Sequence, residues 1–502
     1  MIKFLDRHEK FVTRALEIFP GLLAWGIIFL PAIGGLFMPN IVAYALLVFI
    51  VYWFFKSFKA AFFSIIGYFM VKEWSKIDWK KRWEENKNQS KFKNWKDIKH
   101  VVIIPTYNES VKILKKPLDS LKNQKQIDTK NLYVIVTLEK RAEGSKERAK
   151  ELESIYGKSF GYFFTTLHPD GLPGEIRGIA SNQTWGAKQI KKHLDKLNID
   201  LGNFTVTKGD ADTVFHPNYF AALGFQFAMD KKRYIKIWQS PLFWYNNFHK
   251  IPFPIKMLGV IGHAIQISEL LEPSRLVFNQ SVYSMSFELL YETGYWHTDI
   301  IPEDWHFFLQ AFFHTKGEVQ VDPIYIPTHI DAPESKSWLG TMKNRYKQCK
   351  RHAWGASDIP YAIKESIRHP EIPPLKRVMR VYKLIETHVV WSTNWFLLTL
   401  GATLPAVINP EFSRTSLGYN LPKMAESILT ICLIALVVMV IIDLKLRPKK
   451  AKPDTIFKAI KEVLQWVTFP LITLPMSVLP GLHAQTMLMF GKRLEYKTTD
   501  KV

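Results

Sequence analysis

Apolar residues crowd into the two ends of this 502-residue chain and leave a polar, alternating stretch between them, and that division limits how it can fold. Runs 18–38, 41–55, 388–409, 425–442 and 463–490 are nearly free of charge. A helix crossing a bilayer needs roughly 20 apolar residues, so spans are expected near 18–38, 388–409, 425–444 and 463–490. The run 41–55 is short, and Lys56 and Lys59 in its continuation favour an interface. This predicts a span near 41–55 followed by an interfacial helix up to residue 71. The last run carries Pro470, Pro475 and Pro480, which mark a broken or partly interfacial segment.

The formal charge of +22 arises largely beside these runs. Lys3, Arg7, Lys10 and Arg14 precede the first, and Lys445, Arg447, Lys449, Lys450 and Lys452 follow the fourth. Basic residues flank spans on the cytoplasmic side, so residues 72–385 are expected in the cytoplasm of a multi-pass membrane protein. No compact basic motif with a groove-reading element accompanies the charge, and nucleic acid is not an expected partner. The first apolar run begins late and passes straight into the second, which is not the form of a cleavable leader. Cys349 and Cys432 give no spacing for a disulfide framework or a zinc site.

The expected organisation is a membrane region over 1–71, an amphipathic connector over 72–99, a soluble domain over 100–385, a second membrane region over 386–490 and a basic tail over 491–502. Trp74, Trp79, Trp83 and Trp95 sit among lysines in the connector, a mixture suited to the membrane–water boundary. Beyond His100, short apolar runs at Val101–Pro105, Leu132–Leu138, Tyr162–Leu167, Phe204–Lys208 and Tyr234–Trp238 read as buried strands. Helical patterns over 109–124, 144–156, 176–197 and 217–229 separate them. Alternating β and α units predict an α/β domain with a mostly parallel sheet covered on both faces. Ligands of such sheets bind beyond the carboxyl ends of the strands.

Acidic motifs fall at those ends. Asp210-Ala211-Asp212 follows the strand at 204–208, and its two carboxylates suit Mg²⁺ or Mn²⁺ with coordination positions left for phosphate. A polar turn capping the next helix explains the same residues. Asp304, in Pro302-Glu303-Asp304-Trp305-His306, comes from a separate segment and is placed to act as a general base. A helix N-terminus favouring acidic residues is the plain alternative. Pro105-Thr106-Tyr107-Asn108-Glu109 closes the first strand. Arg177 and Asn182 lie around the start of a helix that would face a nucleotide, and Gln348, Arg351, His352 and Trp354 combine a diphosphate-reading guanidinium with rings able to stack on a sugar.

In order and spacing this set resembles family 2 glycosyltransferases of the GT-A fold, in particular the cellulose synthase-like and hyaluronan synthase-like membrane branch. The likeness covers roughly residues 100–355, and the flanking spans match it. It implies that Thr106, Tyr107 and Glu109 bind the nucleoside, that Asp210 and Asp212 bind diphosphate and divalent metal, and that Asp304 is the base. Trp238-Gln239-Ser240-Pro241 resembles the Gln-Thr-Pro stretch near the acceptor channel, which puts Gln239, with Glu303, Gln348, His352 and Trp354, on the acceptor side. Two features depart from the pattern. Glu139 stands where the family often has an aspartate toward the nucleotide. His352 stands where the Gln-x-x-Arg-Trp motif has its tryptophan, and Trp354 comes two residues later. The resemblance implies an inverting, metal-dependent transferase using a nucleotide sugar, UDP-linked by expectation. Its acceptor is a growing glycan, with an export protein as a further partner, or alternatively a membrane lipid. A non-catalytic membrane assembly factor is the reading from another class, disfavoured by the retention of Asp210, Asp212 and Asp304.

Overall fold

The computed structural model describes residues 2–449 and 456–494. Residues 450–455 of the expected basic loop and 495–502 of the expected tail lie outside the described residues.

The chain opens with two long helices, α1 (Glu9–Phe37) and α2 (Pro39–Trp74), both long and apolar enough to cross a membrane. α2 is one continuous helix of 36 residues, in place of a short span and a separate interfacial helix. The two lysines expected to interrupt it are neutralised by partners remote in sequence. Lys56 Nζ lies 2.5 Å from Glu386 and Lys59 Nζ 2.7 Å from Glu272.

The connector also departs from expectation. Trp79, Trp83 and Trp95 are buried in the soluble domain's own core, against residues of the first two sheet strands, instead of lying at a membrane boundary. Their ring nitrogens partly explain this: Trp95 Nε1 donates to the Gln126 carbonyl at 2.8 Å and Trp83 Nε1 to Ser90 Oγ at 3.0 Å.

The domain is built on seven strands, β1 (Lys99–Thr106), β2 (Leu132–Glu139), β3 (Tyr162–His168), β4 (Phe204–Lys208), β5 (Lys236–Gln239), β6 (Tyr283–Ser286) and β7 (Gln320–Pro323). Their order is β3-β2-β1-β4-β6-β5-β7, and only β6 runs antiparallel to its neighbours. This is the mostly parallel α/β sheet that the alternating pattern predicts. Strand β1 is buried along nearly its whole length, which is why Val101–Ile104 reads as a continuous apolar run and not as an alternation.

Helix α3 (Ile179–Lys196) lies directly on β1 and β2. A Cβ added to Gly186 would meet Thr137 Cγ2 at 2.2 Å, so the helix reaches the sheet only because that position has no side chain. Helix α4 (Phe253–Leu270) joins the domain to the membrane part. It packs on α2 closely enough that a Cβ at Gly67 would fall 1.8 Å from Ile267. Helix α5 (Glu303–His314) starts with the second acidic motif, and α6 (Trp338–Ala353) carries the basic one.

Helix α7 (Pro374–Phe396) runs through the expected domain boundary at 385 and continues by a π turn to Leu404–Ile408. This segment was expected to span, but it is not among the four described helices long and apolar enough to do so. Arg380, Lys383, Glu386 and His388 lower its hydropathy, and each is wholly or partly buried against protein. The path still follows α1 from end to end, from Lys364 paired with Glu9 to Asn409 bonded to the Gly35 and Leu36 carbonyls. Helix α8 (Ser416–Leu446) and the irregular α9 (Glu462–Met489) complete the four. α9 changes to a π turn at Leu474–Val478, around its central proline, and packs on α6.

Replacing Gly186 with alanine should cost about 1–3 kcal/mol of stability through overpacking against Thr137. Denaturant unfolding of the variant checks this, and an unchanged midpoint would mean the helix–sheet distance can relax.

Candidate active site

The carboxyl ends of β1, β2 and β4 open on a cavity of about 670 Å³. Thr106, Tyr107, Glu109, Glu139, Asn182, Asp210, Asp212, Glu303, Asp304, Gln348, Arg351 and His352 all line it, although they come from six separate segments. Arg177, Gln239 and Trp354 do not.

At the β1 end, the Glu109 carboxylate accepts from Thr106 Oγ1 at 2.6 Å and from the Tyr107 amide at 2.8 Å. This fixes the turn that presents the Tyr107 ring. The Arg141 guanidinium sits 4.9 Å from that ring's centre and 3.1 Å from Glu139. Glu139 in turn is bonded to His168, whose second nitrogen meets Glu175 at 2.9 Å. Burial opposes protonation of His168, but the two glutamates outweigh it and raise its pKa. Asn182 reaches from α3 to donate to the carbonyls of Thr106 and Thr137 at 3.1 and 3.0 Å. It ties the ends of β1 and β2 together, and its Oδ1 is buried without a partner.

Lys208 is the last residue of β4 and is only 1% exposed. Its Nζ lies 3.2 Å from Asp210 Oδ1, 3.3 Å from Glu303 Oε1 and 3.5 Å from Asp304 Oδ1. Burial works against its charge, but Asp210, Asp304 and Glu303 prevail and hold its pKa well above the ordinary lysine range. A second link comes from Ser281, whose hydroxyl donates to Asp210 Oδ2 at 2.6 Å while its amide donates to Asp304 Oδ2 at 2.9 Å. The two acidic motifs, 91 residues apart in sequence from Asp212 to Glu303, are thereby joined through one ammonium and one serine.

Burial pushes Glu303 up to about 7, with the neighbouring Asp304 adding and Lys208 opposing. Asp304 is raised by burial, against the pull of Lys208. Asp212 is buried, and its Oδ2 accepts from the Asp331 amide at 3.0 Å. Asp331 is itself paired with Lys116 at 3.0 Å.

On α6, Arg345 donates to Gln348 Oε1 at 3.1 Å and lies over the Trp244 ring at 5.1 Å. His352 is open to the cavity while protein surrounds its ring. That enclosure, with Arg351 and Arg345 nearby, depresses its pKa. The lining also includes Trp305, His388 and Trp391, and neither ring nitrogen of the buried His388 has a partner.

Three expected site residues sit elsewhere. Arg177 is exposed and paired with Asp170 at 2.8 Å, so it serves as a surface ion pair. Gln239 lies behind the cavity wall. It donates to the Ser240 and Val282 carbonyls and accepts from the Gln280 amide at 2.7 Å, bracing the loop that carries Ser281. Trp354 is 4% exposed and packs in the domain core with Ile359 and Leu384, because the helix ends in a 3-10 turn that rotates it inward.

Sequence reasoning missed Lys208, Ser281, Arg141 and Arg345. A lysine closing the buried strand Phe204-Thr205-Val206-Thr207-Lys208 was a signal for the first. For Ser281 the sequence offered none.

Residues 206–442 match the family model described as Glycosyl transferase family group 2. The match begins within β4 and takes in both acidic motifs and Gln348–Arg351, but not the β1 and β2 ends. No curated protein matches the chain. Solved structures that are similar to it include a mannosyltransferase, PcManGT, from Pyrobaculum calidifontis in complex with GDP-Man and Mn²⁺. The likeness has 14% identity and a TM-score of 0.42, covering 90% of this chain and 99% of that one. TarS 1–349 from S. aureus in complex with UDP-GlcNAc is also similar, with 11% identity and a TM-score of 0.37, covering 70% of this chain and 93% of that one.

Replacing Trp354 with alanine should cost about 3–5 kcal/mol of stability, the usual range for emptying a buried aromatic site. Thermal unfolding of the purified variant tests this. A native midpoint with altered ligand binding would mean that the ring faces the cavity after all.

Proposed function

We propose that the chain, whose residues 206–442 match the family group 2 glycosyltransferase model, transfers a sugar from a nucleotide-diphosphate donor, with inversion, to a glycan growing at the membrane. One observation carries this reading. Asp210 and Asp212 at the end of β4 and Asp304 at the start of α5 converge on a single cavity from separate segments. Direct displacement at an anomeric carbon needs the base and the leaving group on opposite faces of the sugar, a demand also met in inverting glycoside hydrolysis.

In this reading Tyr107 and Arg141 hold the nucleobase end. Glu139 fixes Arg141, and Arg351 meets the diphosphate. Asp304 accepts the proton of the acceptor hydroxyl as its oxygen bonds to the anomeric carbon. The bond from that carbon to the donor phosphate breaks, and its electron pair leaves with the nucleoside diphosphate. A positioned base supplies about 10²–10⁴-fold in rate.

Asp210 and Asp212 suit a hard divalent cation, since both are carboxylates that line the cavity. Among the described residues no group of three or more His, Cys, Asp or Glu is arranged to hold a metal alone. The fit is therefore to an ion completed by substrate phosphate, as Mg²⁺ and Mn²⁺ commonly are. When bound, such an ion neutralises the charge that grows on the leaving diphosphate.

The soluble domain would lie in the cytoplasm beside the basic flanks. A lipid-borne acceptor is the second reading, favoured by the packing of α4, which lines the cavity at Gly259, Gly262 and His263, directly against the membrane helix α2.

Asp304→Asn should abolish transfer while nucleotide binding changes by less than about threefold, measured by labelled-sugar transfer and calorimetry on one preparation. Equal loss of both would make Asp304 structural. Asp212→Asn should weaken Mn²⁺-dependent nucleotide binding by about tenfold or more, as a ligand carboxylate is removed. Unchanged metal dependence would remove Asp212 from the ion's ligands.

A further inference from the structure

A cation is already built into the acidic cluster. Lys208 cannot swing away from it, because its backbone is locked in β4 opposite Tyr283 of β6 and its side chain is enclosed. Of its three carboxyl neighbours, Asp210 is the nearest and is also one of the two residues assigned above to the divalent ion. Asp210 Oδ1 faces the ammonium and Oδ2 takes the Ser281 hydroxyl. Protein donors therefore occupy both oxygens before any ion arrives.

We propose that Lys208 is an internal competitor of the divalent cation, which keeps the affinity of Asp210 and Asp212 for the ion low until a nucleotide diphosphate brings its own oxygen ligands. The inference rests on the metal reading of these two aspartates. Repulsion between an ammonium and a dication within several ångströms, in a site drier than water, is worth at least a factor of about ten in affinity. A diphosphate supplies enough negative charge to reverse the balance, so ion and nucleotide bind together. Lys208 then remains with Glu303 and Asp304, where it is a positioning residue that keeps the base in register with the leaving group.

The test is Mn²⁺ binding, followed by the loss of the free-ion paramagnetic resonance signal, to the full chain in lipid nanodiscs with and without UDP or GDP. Lys208→Met should bind Mn²⁺ about tenfold or more tightly in the absence of nucleotide, and the gain in affinity on adding nucleotide should shrink. Lys208→Arg, which keeps the charge, should stay within about threefold of the native protein. A Lys208→Met protein with native unfolding behaviour and unchanged or weaker Mn²⁺ affinity would overturn the inference.

Lys208→Met removes the ammonium that three carboxyl groups share, and the loss can unfold it. The double variant K208Q/E303Q loses one charge of each sign, and it should bind Mn²⁺ more tightly than Glu303→Gln alone. Equal or weaker binding by the double variant would equally overturn the inference. Failure of the native protein to bind Mn²⁺ with either nucleotide would contradict the metal reading itself, and the inference with it.

Discussion

One buried ammonium holds the carboxyl end of β4 to the start of α5. Lys208 stands within 3.5 Å of Asp210, Glu303 and Asp304, and it is 1% exposed. Three carboxyl groups so close would repel one another strongly in a dry pocket, and removing the cation from such a set is among the more damaging single changes a protein can suffer. The sheet is arranged around this contact. β4 delivers Lys208 and Asp210, the loop before β6 delivers Ser281, and α5 delivers Glu303 and Asp304. β6 is the antiparallel strand, and its direction brings the loop carrying Ser281 beside the carboxyl end of β4.

Helix α8, one of those apolar enough to cross a membrane, is fastened to the same cavity by a second polar cluster. Asp443, near the end of α8, accepts from Tyr245 Oη and His263 Nδ1, both at 2.8 Å, and is paired with Arg447 at 2.6 Å. The Trp244 amide donates to His263 Nε2 at 2.9 Å, so the ring proton sits on Nδ1 toward Asp443. His263 and Trp244 both line the cavity. A fully paired buried network of this kind fixes geometry more than it adds stability. Here it sets the position of α4 relative to α8. On the opposite side, Arg380 of α7 lies over the rings of Phe308 and Phe312 and donates to the Val277 carbonyl, just before the loop of Ser281. Helices α8 and α7 thus buttress the cavity from two directions.

Much of the architecture was legible because local composition decides it. β1 to β4 are short runs bounded by polar turns, and in β1 and β2 the nearly complete burial shows in the lack of alternation. β6 and β7 were not found, since Tyr283-Ser284-Met285-Ser286 and Gln320-Val321-Asp322-Pro323 are four residues long and half polar. What was misjudged depended on distant partners. Lys56 reads as an interruption until Glu386, 330 residues away, is placed beside it. The connector tryptophans read as interfacial until Gln126 and the sheet cover them. Within the site, the acidic motifs stood out because they follow strands. Trp354 was assigned to the acceptor from its place after Gln348 and Arg351, but the turn that buries it begins at that very residue. Lys208 was passed over because a lysine at a strand end ordinarily faces water, and only the meeting of two acidic segments makes it central.

The central claim is that this cavity moves a sugar from a nucleotide diphosphate. The most direct measurement is release of nucleoside diphosphate together with transfer of label, using purified protein in lipid nanodiscs given a panel of labelled UDP- and GDP-sugars with Mg²⁺ or Mn²⁺. The account predicts stoichiometric release and transfer with at least one donor, lost when the metal is chelated. Absence of both from every donor, in protein that folds normally and sits in native-like lipid, would contradict it.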